Sequence, residues 1–239
     1  MNNNKESTEV PKLIFEDDDL LIINKPAGLL SIPDGYNPDL PHLRLVLEPV
    51  YGPLWMVHRL DKETSGVVVL AKNEDAHREL NHLFRSRQVE KIYHGLVTPA
   101  PKWQKMIIDF PLLPNADRNH RTRVNNEKGK EALTISTVMK RYPCGVLMEF
   151  EIQTGITHQI RAHLRSLELS LIGETNYNAG LPPHPIQADR LMLHARKLGF
   201  THPNKGTWQC FTAPYPEDFR STYTKLRITT IQDDMTLWR

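Results

Sequence analysis

The stretch MVHRLDKETSGVVVLAK, Met56 to Lys72, decides how the chain is read. Its second half, Val67 to Ala71, is a continuous β-branched and apolar run, the pattern of a strand covered on both faces. Its first half sets His58, Arg59 and Asp61 at the edge of that strand. Two readings compete. Asp61 and Thr64 are residue types that cap turns by bonding their own backbone, a use that needs no ligand. Alternatively, a rigid strand end is a place where a loop carboxylate can be held ready for chemistry. Pattern alone favours the turn cap.

Outward from this stretch, KLIFEDDDLLIINKPAGLL reads as a hairpin around an acidic turn, followed by a Lys-Pro-Ala-Gly turn. PHLRLVLEPVYG places Leu43, Val46, Leu47 and Val50 at helical spacing, with an end near Pro49 and Gly52. In NEDAHRELNHLFRSRQ, Ala76, Leu80, Leu83 and Phe84 form one stripe behind an Asn cap, with acids in the first turn and Arg85 and Arg87 near the end. KIYHGLVT is a further strand. GVLMEFEIQT alternates, with Val146, Met148, Phe150 and Ile152 on one face and acids on the other, as in a half-exposed antiparallel strand. ITHQIRAHLRSLE gives a helix over Thr157 to Glu168, and RLMLHARKLGF and TWQCFTA give late strands. Strands with few helices between them predict an α+β fold, with a flexible tail over residues 1–11 and one domain over 12–239.

Composition narrows the class. At 239 residues, 39% hydrophobic and 24% charged, the chain is globular and needs no disulfide or metal staple. Cys144 and Cys210 fit no CxxC or ligand spacing and read as reduced thiols. The start, MNNNKESTEVPK, lacks the apolar segment of a secretory leader, and no run reaches the ~18 apolar residues of a membrane span. A cytoplasmic location without membrane contact is therefore expected. Net charge is only +2, so any polyanion partner must be met by local charge. The segment Asp117 to Lys130 supplies some, with five basic residues against two acidic ones. It is either a solvated loop or a basic flap that touches phosphate.

Several chemistries are excluded by spacing. His158 and His163 are five apart, as are His77 and His82, which misses the i, i+4 spacing of a helical zinc pair, and HExxH is absent. No GxxxxGK[ST] or GxGxxG occurs, HRLD lacks its kinase partners, and Ser65 is not in a GxSxG elbow. Arg161 borders the buried stripe of its helix, where an unpaired charge is very costly, so it needs a carboxylate or backbone acceptors. Asp61 would suit it.

These residues carry a resemblance. HRLDKETSGVVVLAK resembles the signature of the RluA-type pseudouridine synthases, and four more blocks follow the family's order. They are INKPAGLLS at Ile23 to Ser31, KIYHGLV at Lys91 to Val97, TGITHQIRAHL at Thr154 to Leu164 and LMLHARKLGFTHP at Leu191 to Pro203. The resemblance spans about Leu13 to Ala213.

It implies a mixed, mostly antiparallel sheet with flanking helices and a central cleft. It also implies isomerisation of uridine to pseudouridine in structured RNA, ribosomal or transfer, by a monomer without cofactor, metal or obligate protein partner. Asp61 would be the nucleophile and Arg161 its ion-pair partner. Tyr93 would stack on the uracil, Arg59 would enter the RNA stack as the base leaves it, and Leu193 would line the uracil pocket. The family commonly has Gly-Arg-Thr where this chain has Gly155-Ile156-Thr157, and Gly-Asp where it has Gly173-Glu174. Neither departure falls on Asp61, Tyr93 or Arg161. The alternative is a non-catalytic RNA-binding or chaperone protein on the same fold. A carboxylate glycosidase would want a second acid, which the motif blocks do not offer.

Overall fold

The computed structural model describes residues 10–229. Residues 1–9 of the expected tail, and the last ten of the expected domain, lie outside the described residues. The chain opens with the expected hairpin, β1 (Lys12–Glu16) and β2 (Leu20–Lys25). Helix α1 (Leu43–Tyr51) and the short β3 (Trp55–Met56) lead into β4 (Ser65–Ala71), all seven residues of which are buried. Helix α2 (Glu74–Arg85) begins where predicted, with Asn73 Oδ1 accepting from the Ala76 amide at 2.8 Å. After β5 (Glu90–Thr98) the crossover and basic loop contain β6 (Lys105–Ile108), β7 (Leu112–Leu113) and β8 (Arg123–Val124). The hairpin β9 (Thr134–Tyr142) and β10 (Gly145–Ile152) precedes α3 (Gln159–Ser166) and the short β11 (Ser170–Leu171). Strands β12 (Leu193–Thr201) and β13 (Trp208–Thr212) and helix α4 (Glu217–Ile228) complete the described chain.

These elements form the α+β architecture that the pattern predicts. The main sheet runs β1-β2-β4-β12-β5-β10-β9-β6, with β3, β11 and β13 paired at its sides, and β7 and β8 form a separate ribbon. Its pairings are antiparallel except one, β4 beside β12. That parallel join depends on Gly66, which has φ +126. A Cβ there would lie 2.2 Å from the Ala195 carbonyl oxygen, so only glycine lets the two backbones approach. The join sets Leu193, at the start of β12, beside the loop that carries Asp61.

Helix α1 ends where expected, running through Pro49 to Tyr51 and stopping at Gly52, whose φ of 74 suits glycine. Two expectations about α3 are corrected. Helix α3 starts at Gln159, not Thr157, because His158 is left-handed at φ 56. Six consecutive residues, Gln159 to Leu164, are buried, so α3 is enclosed rather than amphipathic. Strand β9 and helix α4 had no counterpart in the sequence reading. Among the described residues no helix is long and apolar enough to cross a membrane.

Candidate active site

The loop between β3 and β4 carries Asp61, and three buried polar side chains from distant segments hold its backbone. Ser31 Oγ donates to the Leu60 carbonyl at 2.8 Å and accepts from the Leu60 amide at 3.0 Å. Lys25 Nζ donates to the carbonyls of Pro26, Leu29 and Lys62 at 2.9, 2.7 and 3.1 Å. Arg190, itself anchored on Asp218, donates to the Glu63 carbonyl and to Ser65 Oγ, both at 3.2 Å. A turn is present, the Thr64 amide bonding the Asp61 carbonyl at 3.1 Å, but neither side chain caps it: Thr64 Oγ1 is buried without a hydrogen-bond partner among the described residues. The Asp61 carboxylate is likewise not spent on the turn.

That carboxylate faces a hollow of about 120 Å³ whose walls include Arg59, Tyr93, His158, Arg161 and Leu193. All five site residues expected from the sequence therefore meet in one place. Asp61 Oδ2 lies 3.8 Å from Arg161 Nη1 and 3.7 Å from His158 Nε2. Tyr93, on β5, is kept protonated: burial raises its pKa well above the ordinary phenol value, and the Asp61 charge adds to this. Leu193 is 4% exposed and gives an apolar wall, whereas Arg59 is exposed at the mouth.

Arg161 is not primarily the partner of Asp61. Its guanidinium donates from Nε to Glu174 Oε2 at 2.6 Å and from Nη2 to Oε1 at 2.8 Å, and it lies over the Tyr177 ring at 4.9 Å. Glu174 also accepts the amides of Asn176 and Tyr177. Burial opposes its charge, but Arg161 and these amides outweigh burial, and its pKa lies below the usual value. The departure at Glu174 thus bears directly on Arg161, contrary to expectation. A second carboxylate is indeed close to the site, but both its oxygens are engaged.

His158 was weighed only as a metal ligand in sequence, yet it faces Asp61. Tyr177 Oη accepts the Thr122 amide at 2.7 Å, which directs its own proton to His158 Nδ1 at 3.0 Å. The proton of the neutral ring then sits on Nε2, towards Asp61. Burial lowers the His158 pKa more strongly than Asp61 raises it, which keeps the ring neutral. The sequence pattern carried no signal for this, since the left-handed conformation of His158, φ 56, shows only in the structure.

The basic segment Asp117 to Lys130 is less cationic than its composition suggests. Asp117 Oδ2 collects both Arg121 and Arg123, at 2.7 and 2.8 Å. Ile156, the other departure, lines the hollow with an apolar side chain. Among the described residues one group of three could ligate a metal, Asp17, Asp19 and His202, and it lies outside this hollow. Its carboxylates already accept from Lys205, His202, Asn73 and Asn204.

Comparison with known proteins agrees with this geometry. A family model described as RNA pseudouridylate synthase matches residues 19–166. The chain is similar to an uncharacterized RNA pseudouridine synthase of Aquifex aeolicus, 39% identical over 230 residues, which cover 90% of this chain and 72% of the relative. It is similar also to the dual-specificity RNA pseudouridine synthase RluA of Pasteurella multocida, 34% identical over 84% of this chain and 92% of the relative. Among solved structures, human RNA pseudouridylate synthase domain containing 4 aligns with a TM-score of 0.74 at 26% identity, covering 90% of this chain and 92% of that one. An Asp61 hollow built on this sheet, and these relatives over most of its length, place the chain in the RNA pseudouridine synthase family, on its RluA-type branch.

Proposed function

We propose that this chain isomerises uridine to pseudouridine in structured RNA, ribosomal or transfer, with Asp61 as the nucleophile. The observation that supports this reading most is the convergence of Asp61, Tyr93, Arg161, Arg59 and Leu193, from remote parts of the chain, on one hollow. The reaction breaks the bond from C1′ to N1, turns the uracil and joins C1′ to C5. C5 gives up its hydrogen and N1 takes a proton, so there is no net redox change. Asp61 acts either by adding to the base or after proton loss at the ribose, and both routes use the same groups.

The base must leave its stack to reach Asp61. In this reading Arg59 takes the vacated place, Tyr93 stacks on the extruded uracil and its phenol handles a proton, and Leu193 excludes water from the opposite side. Arg161 supplies positive charge near the carboxylate. His158 Nε2 steadies Asp61 from the α3 side. The domain beginning at Lys12 works as a cytoplasmic monomer without an obligate protein partner.

The test is tritium release from RNA labelled at uracil C5, since a synthase displaces that hydrogen and an RNA-binding protein or glycosidase does not. Wild-type protein releases tritium, and Asp61→Asn releases none while keeping its circular dichroism spectrum. Wild-type turnover by Asp61→Asn would overturn the assignment.

A further inference from the structure

The hollow around Asp61 does not end at Tyr93. It opens into a second groove of about 560 Å³, and the two share Arg59, Tyr93, Ile152, Gly155 and Ile156 as walls. The charge of this groove is one-sided. Arg59, Arg85, Arg87, Lys91 and Lys130 line it, against the single carboxylate of Glu131. Lys91 is turned inward and donates to the Thr154 carbonyl at 3.0 Å. Arg59, Arg85 and Lys130 are exposed and make no ion pair among the described residues. Clustered cations repel one another, and such a groove draws in a polyanion.

Arg87 stands in an unusual place. It is the second residue after the end of α2 and adopts φ 59, a left-handed conformation that helix ends usually give to glycine. From there its guanidinium reaches a segment 44 residues away, donating from Nη1 and Nη2 to the two Glu131 oxygens at 2.9 and 2.8 Å. The Glu131 segment is itself fixed, because Leu112 and Lys130 exchange both backbone hydrogen bonds. Both side chains of the pair are open to solvent, so the pair adds little to folding and exchanges readily. The guanidinium fork that fits a carboxylate fits a phosphate equally well.

We propose that this groove is a phosphodiester subsite for the RNA strand flanking the flipped uridine, in which Arg87 leaves Glu131 for a phosphate oxygen as the strand seats. The proposal rests on the RNA-modifying reading of the Asp61 hollow and extends it to the neighbouring nucleotides. Glu131 is then a resident competitor: it occupies Arg87 in the empty protein and sets how strongly a strand must bind to replace it. Phe84, stacked on the His58 ring at 4.7 Å, gives the groove an apolar floor beneath its cations.

The probe is bulk RNA from cells lacking this protein, labelled with tritium at uracil C5. Arg87→Gln raises the apparent KM about 3- to 10-fold and flattens the dependence of log affinity on log salt by about 0.7–0.9, the release of one counterion. Glu131→Gln lowers the KM about 2- to 5-fold, since Arg87 is freed. The two substitutions remove the same ion pair, so a merely structural pair would move both variants in the same direction. Shifts of the same sign, or none in either variant, would overturn the subsite while wild-type tritium release left the RNA reading standing. A wild-type protein that releases no tritium would overturn that reading and the subsite with it.

Discussion

Arg161 and Glu174 are joined by two short hydrogen bonds, and their side chains are only 8% and 2% exposed. A buried pair of this kind is a poor source of net stability but a costly one to break, because the survivor keeps its charge without a partner. Glu174→Gln is therefore expected to destabilise the fold by about 3 kcal/mol. It also frees Arg161 to swing onto Asp61, now 3.8 Å away, and lowers turnover at least about tenfold. Glu174→Asp keeps a carboxylate within reach and restores most of both losses. Urea unfolding with tritium release on the same preparations checks this, and equal behaviour of the Gln and Asp variants would contradict it.

Tyr93 separates stacking from proton handling. Its phenol holds its proton at neutral pH because burial, and then Asp61, raise its pKa. Tyr93→Phe preserves the ring and removes the hydroxyl. A positioned acid or base contributes about 10²–10⁴ in rate, so kcat should fall at least about 100-fold with KM little changed. Tyr93→Leu should raise KM as well. A Phe variant that loses only KM would assign the hydroxyl to binding.

Lys25 tests how much of the site is scaffold. Burial lowers its pKa to about 7 against the pull of Glu63 and Asp61, and its three carbonyl acceptors match the three protons of the ammonium form. Lys25→Met leaves the Pro26 and Leu29 carbonyls without this donor, at about 1–3 kcal/mol each, while Lys62 keeps the Gly28 amide. A loss on the order of 3 kcal/mol in chemical denaturation is expected, with turnover falling because the Asp61 loop slackens. Unchanged stability would show that water replaces the amine.

What could be read from the sequence was the part governed by neighbours in the chain. Strand β4 and helix α2 follow from Val67 to Ala71 and from the Ala76, Leu80 stripe behind Asn73. Helix α4 escaped although its buried positions, Phe219, Thr222 and Leu226, fall at the helical i, i+3 and i+7, because the threonine among them weakens the apolar stripe. The site residues were found through the ordered blocks, not through pattern, which favoured a turn cap for Asp61. The ion pair of Arg161 with Asp61 is present at 3.8 Å, but its two shorter bonds to Glu174 were missed, for a geometric reason. Glu174 follows β11 by a short turn and returns to the start of α3, and no periodicity encodes that return. The charge of Asp117 to Lys130 was overread, since a count of residues cannot show Asp117 binding two arginines.

Two histidines held neutral, His194 buried and His58 partly buried, give the fold an acid limit. His58 Nε2 accepts the Val69 amide at 3.1 Å, and burial, then Lys91, push its pKa down to about 3. His194 is fully enclosed, with Nδ1 near Ser65 Oγ at 2.9 Å and Nε2 near the Ala213 carbonyl at 3.2 Å. Its pKa falls to about 4, chiefly through burial and further through Arg190, Arg196 and His94, against the Ala213 carbonyl. Both rings are neutral when folded, whereas in the unfolded chain each takes a proton below the ordinary histidine pKa of about 6.5. The unfolded state therefore binds more protons as pH falls. Stability is complete above pH 6.5 and declines below it, by about 1.4 kcal/mol per pH unit for each ring. Between pH 6.5 and 5 the two together remove on the order of 3–4 kcal/mol. Urea unfolding at pH 7 and pH 5 measures the drop. His194→Gln, which cannot titrate, should lose that ring's share of the pH dependence even though its stability at pH 7 is lower. Equal unfolding free energies at the two pH values in the wild-type protein would mean that these rings are protonated in the folded state.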